Sequence, residues 1–239
     1  MGAGPVTAAF YNFHPAMVAK AVPECWGHVA PATLCRVRAI AAGEAVSERC
    51  SVAARSDLVA ALPLLRRVVD SCGVAGRVMA AANRTLWPTI STALGTGGLA
   101  EAWQACTTLR EHRGDGHIAA LLVHGIRGID AHLLAAGTKG VPVDVLRDNR
   151  GWSEDDWEAA TSGLASRGLL HTDGRATDAG RTLHAAVEEQ TDRLAAPPYT
   201  NLSDTAMADL YGALSVCAGE VVASGVLPFP NPIGLPHIA

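Results

Sequence analysis

The sequence predicts a mainly α-helical protein, and three observations carry that prediction. Apolar residues recur at helical spacing along most of the chain, and no long segment alternates between apolar and polar residues. Of 239 residues 49% are hydrophobic but only 5% are aromatic. Alanine, leucine and valine make up the difference, a composition suited to close packing of helices. Breaker residues punctuate the periodic segments, with loops marked at Trp87-Pro88 and at Gly95-Thr96-Gly97-Gly98.

Taken in order, residues 15–22 read as a short amphipathic helix after the aromatic run Phe10-Tyr11-Asn12-Phe13-His14. Pro23 and Pro31 each start the next element at its first turn. Helices are expected over 31–42, 57–72 and 76–83, the second with Leu58, Leu62, Leu65 and Val69 on one face and Ser56 or Asp57 as its cap. A helix over 99–112 leads into a charged stretch, and another over about 117–136 is closed by Gly137. From Val141 the pattern becomes more specific. A short helix (142–148) and Gly151-Trp152 precede a helix capped by Ser153; then come the extended run Gly168-Leu169-Leu170-His171-Thr172, the turn Asp173-Gly174, and a helix opened by Asp178. Helix, helix, hairpin, helix is the order of a winged helix-turn-helix unit with a small β-hairpin wing. The expected organisation is a helical domain with a charged central helix (1–137), a winged-helix domain (138–196), and a C-terminal helix with a proline-rich extended tail packing back on the body (197–239).

Charge and cysteine usage bound the function. With 19 Lys and Arg against 23 Asp and Glu, the formal net charge is -4, too near neutral to attract a polyanion in bulk. Lys20 and Lys139 are the only lysines, and Arg66-Arg67 is the longest basic cluster. The six cysteines, at 25, 35, 50, 72, 106 and 217, form no CxxC pair, so neither a disulfide framework nor a zinc site is expected. Without a signal-like segment or 18 consecutive apolar residues, the chain is expected to be cytoplasmic, with no membrane partner.

The densest chemistry lies in Arg110-Glu111-His112-Arg113-Gly114-Asp115-Gly116-His117. Continued as one helix at about 100° per residue, it places Arg110, Arg113, His117 and His124 within an arc of about 60°, with Glu111 and Asp115 on the neighbouring face. One reading is a solvated, helix-breaking loop, since both glycines disfavour helix. The other is a helix through the core, because Trp103, Cys106 and Leu109 lead in at helical spacing and residues 118–123 lead out as an unbroken apolar run. Ionisable groups in such a place are candidates for acid/base chemistry or anion recognition. His112 and His117 point to different faces, and His117 and His124 stand about 10 Å apart along the axis, so no metal is assigned. His132, His171 and His184 are expected at the surface. Cys106 reads as a packed thiol, and Gly95-Thr96-Gly97-Gly98 lacks the residues of a phosphate loop.

Four segments together resemble the actinobacterial SalK-like family, whose members are commonly labelled helix-turn-helix proteins: Phe10 to Val18, residues 110–117, Gly151-Trp152 with the wing, and Leu227-Pro228-Phe229-Pro230-Asn231-Pro232-Ile233-Gly234. Relatives typically carry an additional N-terminal segment, so the chain resembles a shortened version. The resemblance implies a cytoplasmic helical protein with an appended winged-helix unit and defines no catalytic residues.

Two classes of function follow. The first is a small-molecule enzyme without cofactor, in which Glu111, Asp115 and His117 exchange protons with a metabolite. Arg110 and Arg113 would hold an anionic group, with His14, Trp103, His124 and Phe229 as further substrate contacts. The second is a ligand-binding module or a winged-helix transcriptional regulator of the MarR-like type. Nucleic acid is an unfavoured partner, because the second helix of the unit, residues 153–167, carries four acids against one arginine. Arg147, Arg150 and Arg175 keep DNA open as an alternative. A homodimer is possible through the helix that follows the wing, which carries Glu188, Glu189 and Asp192.

Overall fold

The computed structural model describes residues 2–86, 90, 97–231 and 233. Thirteen α-helices are seen among them: α1 (Ala3–Ala9), α2 (Pro15–Ala21), α3 (Cys25–His28), α4 (Pro31–Arg49), α5 (Val52–Ala60), α6 (Leu62–Asp70), α7 (Val78–Thr85), α8 (Leu99–Val123), α9 (Gly128–Lys139), α10 (Val143–Asp148), α11 (Glu154–Ser166), α12 (Asp178–Ala195) and α13 (Asp204–Ala223). The chain divides into two compact units. One comprises Met1–His28, His117–Asp192 and Phe229–His237; the other comprises Val29–Gly116, Arg193–Pro228 and Ile238–Ala239.

The first unit contains the α10–α11 helix pair. Its core gathers Leu121, Ile126, Leu133, Leu146, Trp157, Leu164 and Leu170 from α8 to α11 and the turn after them. Ser153 caps α11 as expected: its hydroxyl accepts from the Asp156 N–H, and the Asp156 carboxylate reaches back to the Ser153 N–H, satisfying two otherwise unpaired donors. The N-terminal aromatic run is tied to the same core. Tyr11 donates to the Ile126 carbonyl at 2.6 Å, and the Asn12 carbonyl accepts from Trp152 Nε1 and His132 Nε2, each at 3.1 Å.

The β-hairpin wing is not formed, because no strand occurs among the described residues. Residues 168–177 make a tight turn with a single antiparallel bridge between Leu170 and Ala176. Two hydrogen bonds, His171 N–H to Arg175 O and Thr177 N–H to Leu169 O, exhaust the pairing. The Ala176 N–H turns instead to the Gly137 carbonyl of α9 at 3.1 Å. With arms this short, packing against α9 competes for the donors that a ladder would need.

Gly137 therefore has a role other than the one its sequence position suggested. α9 ends at Gly140, whose φ of 69° is the left-handed conformation of a C-cap. Gly137 lies inside the helix, where a Cβ would come within 2.6 Å of the Gly174 carbonyl oxygen. It lets the turn approach the helix.

The second unit is built on α4 to α7, the first part of α8, and α13. Its core joins Leu58, Leu62, Leu65, Val68 and Val69 to Ala102, Ala105, Leu210, Ala213 and Cys217. The helix expected over 57–72 is two helices, because Pro63 lacks the N–H to bond one turn back and starts α6 instead. Ser51, rather than Ser56 or Asp57, caps the first of them by accepting from Ala54 N–H. α13 is long and apolar enough, by length and composition alone, to cross a membrane. One of its faces packs into the core while Tyr211, at 73% exposure, and Val216 face outward.

Candidate functional site on the central helix

The charged stretch is helical throughout. α8 runs uninterrupted from Leu99 to Val123, through both Gly114 and Gly116. Gly116 is needed for packing. A Cβ there would sit 2.9 Å from Arg77 Nη1 and 3.1 Å from Leu194 Cβ. Through that gap the Arg77 guanidinium donates to the carbonyls of His112 and Leu194, stitching α7, α8 and α12 together within the second unit. The helix ends in a glycine cap: Gly125, with φ of 64°, follows the last turn, and Ile126 N–H bonds back to Leu121 O.

The predicted residues are distributed over different faces and both units. Glu111 and Asp115 are one turn apart on one face of α8; His117, about 120° from Glu111 in the other sense and about 200° beyond Asp115, points away from them. Asp115 accepts from the Met79 and Ala80 N–H groups at 3.3 and 2.9 Å, so its carboxylate caps the start of α7. Glu111 pairs with Arg110 at 2.7 Å. Burial holds the Glu111 carboxyl above the usual glutamate range, with Asp115 adding to the rise and Arg110 and Arg38 opposing it.

His117 belongs to the first unit, where its Nδ1 lies 3.0 Å from the Thr191 hydroxyl and 3.9 Å from Glu188. Arg110 and Arg113 are exposed, and His124 directly follows α8. His14 caps α2 by accepting from Ala16 N–H and stacks edge-on against Trp152 at 4.9 Å. Phe229 lies in the first unit and Trp103 in the second. His132 corrects the expectation of a surface residue. It is 7% exposed, and burial lowers its pKa to about 4. Among the described residues no group of three or more His, Cys, Asp or Glu is arranged to hold a metal.

One stripe of α8 escaped notice in the sequence. Glu101, Gln104, Thr108 and His112 are all buried, and they share with Glu111 and Asp115 an arc of about 100°. Polar residues at that spacing inside an otherwise apolar helix were a legible signal. Their partners, on α4, α6 and α7, were not. Glu101 is paired with Arg66 at 2.7 Å. Gln104 Nε2 donates to the Asn83 backbone carbonyl at 3.0 Å and to Asn83 Oδ1 at 3.3 Å, and the latter oxygen also accepts from Arg38 at 3.4 Å. The Arg38 guanidinium in turn lies 5.0 Å from the centre of the Trp103 ring. Gln104 Oε1, in a residue with no exposed surface, has no hydrogen-bond partner.

The second unit thus places an unpaired buried acceptor, a guanidinium over an indole and a carboxyl whose pKa burial raises along one stretch of α8. No curated protein and no solved structure matches the chain. A family model described as a helix-turn-helix family matches residues 1–228, and the chain belongs to that helix-turn-helix family.

Proposed function

We propose that the protein binds a small polar metabolite on the buried polar stripe of α8 and transforms it by cofactor-independent acid/base chemistry at Glu111. The observation that carries this reading is Gln104 Oε1. A buried acceptor left without a donor costs about 1–3 kcal/mol, which a ligand N–H or O–H would recover. Arg38 would face an anionic or carbonyl group of the same ligand, and Glu111, its carboxyl raised by burial, would exchange the proton. Within its family we place the chain in the SalK-like, actinobacterial branch, on the four segments that carry that resemblance.

A thermal-shift screen of small amides, alcohols and hydroxy acids tests the reading. A compound that stabilises the protein is expected to lose its effect in Gln104→Leu; equal responses of both proteins to every stabiliser would exclude Gln104 as a ligand contact. Glu111→Gln makes a separate prediction. An acid whose folded pKa is raised loses stability as pH climbs from its unfolded to its folded value, because ionisation is then resisted only in the folded state. The exposed Arg110 partner offsets little of this. Glu111→Gln should therefore melt higher than the parent at pH 7 and no higher at pH 4, while turnover is lost. An unchanged melting difference across that range would show that Glu111 is ordinarily solvated.

Family membership and the α10–α11 pair favour a second reading, a ligand-responsive regulator. Electrostatics oppose DNA contact by α11. Glu154, Asp155 and Asp156 fill its first turn, the part of a recognition helix that enters the major groove. Fluorescence anisotropy with duplex DNA at physiological salt should show only weak binding, with Kd above roughly 1 μM; a tighter, sequence-dependent complex would establish the regulator reading instead.

A further inference from the structure

Two thiols in the second unit face each other where no function has placed them. Cys50 ends α4, and Cys217 lies in the last third of α13, with 3.4 Å between their sulfur atoms. Both belong to the apolar core, at 6% and 7% exposure. The neighbouring backbone holds them in register. Ser51 donates from its N–H and its hydroxyl to the two carboxylate oxygens of Glu220, at 2.6 and 2.8 Å, one residue beyond Cys50 and one turn beyond Cys217. A disulfide requires the sulfurs to close to about 2.05 Å, a movement of little more than 1 Å.

We propose that Cys50 and Cys217 form a reversible oxidation site, at which a peroxide converts the two thiols to a disulfide tying the end of α4 to α13. In the first step the Cys50 sulfur attacks a peroxide oxygen, the O–O bond breaks, and the thiol proton leaves in a water molecule, giving a sulfenic acid. In the second, the Cys217 sulfur attacks the Cys50 sulfur, the S–O bond breaks, and a second water carries away the Cys217 proton. Two thiols and one hydrogen peroxide give one disulfide and two waters. A thiol reductant reverses the change by exchange. Burial pushes the Cys217 thiol up to about 12, so Cys217 offers little thiolate at neutral pH and the link forms slowly, under sustained oxidant rather than trace exposure. The closed loop spans the chain from the end of α4 to α13, so the oxidised form is the more stable one. Cys106 is the competitor, packed against the same core with a thiol that burial raises to about 11.

The test uses the full chain, reduced and then treated with hydrogen peroxide, and reads non-reducing peptide maps, intact mass and melting temperature. The expected result is a Cys50–Cys217 linked peptide, loss of two hydrogens from the intact mass, and a melting temperature raised by roughly 3 °C or more, all reversed by dithiothreitol and absent in Cys50→Ser. Oxygen adducts at Cys25 or Cys35 without that link, or a link from Cys217 to Cys106, would overturn the proposal. The peptide map of the unsubstituted chain decides the matter by itself should Cys50→Ser not fold.

Discussion

Alanine at position 180 is expected to destabilise the first unit by about 3 kcal/mol or more. Gly180 lies in the first turn of α12, and a Cβ built there falls 2.0 Å from the Leu169 carbonyl oxygen and 3.1 Å from its carbon. These are backbone atoms with no rotamer to change. That carbonyl accepts from the Thr177 N–H at 3.1 Å and from the Thr177 hydroxyl at 3.2 Å, and the same hydroxyl accepts from the Gly180 N–H. Making room would therefore break the join between the turn and α12. Intrinsic propensity runs the other way, since alanine in a helix is better than glycine by roughly 0.5–1 kcal/mol. Gly163 in α11 supplies the contrast: a Cβ there meets nothing within 4 Å, so Gly163→Ala should gain that propensity difference, roughly 0.5–1 kcal/mol. Urea unfolding of the two variants checks both signs, and a neutral Gly180→Ala would mean that the turn does not approach the helix so closely.

Acid should weaken the fold through His132. Its imidazole is almost wholly buried in the first unit, donates from Nε2 to the Asn12 carbonyl, and has a pKa lowered to about 4 by burial, with Arg150 and His117 pushing the same way and the Asn12 carbonyl opposing. The unfolded chain takes up that proton near pH 6.5 and the folded one only near 4. Stability from this group is therefore complete above pH 6.5 and falls as pH drops through that interval, by about 3 kcal/mol at most. His112 and His184, also lowered by burial, add to the same acid limb. In His132→Leu the Asn12 carbonyl keeps its bond from Trp152 Nε1, so the variant removes the titration without orphaning its partner. Unfolding free energies at pH 7, 5.5 and 4.5 should fall steeply in the parent and clearly less in the variant. Parallel slopes would place the acid sensitivity elsewhere.

Much of the helical architecture was legible because its signals are local. Ser153 and Asp156 three residues apart specify a cap whatever lies around them, and Pro15 and Pro31 open helices because their fixed φ and missing N–H suit a first turn. The two glycines of the charged stretch misled for the same reason. Glycine lowers helix propensity everywhere, yet at 116 its missing side chain admits Arg77, a requirement set by a residue 39 positions away in sequence. The wing failed likewise. Asp173-Gly174 does turn the chain, but the donor of Ala176 was claimed by Gly137, and a two-residue signal carries no information about that competitor.

The candidate site divides along the same line. The sequence by itself determined that α8 would carry ionisable groups at helical spacing between apolar flanks, that α11 would begin with three acids, and that the cysteines would form no closely spaced pair, since each follows from covalent order and helical period. Only the tertiary structure decided that Asp115 is spent on the start of α7, that Glu111 is held protonated more readily by burial, that Gln104 has an acceptor with nothing to accept, and that Cys50 meets Cys217 across 167 residues. The reason is physical: a side chain's protonation, pairing and reactivity depend on the atoms within a few ångströms of it, and in a helical fold those atoms come from segments whose order along the chain does not encode their neighbours.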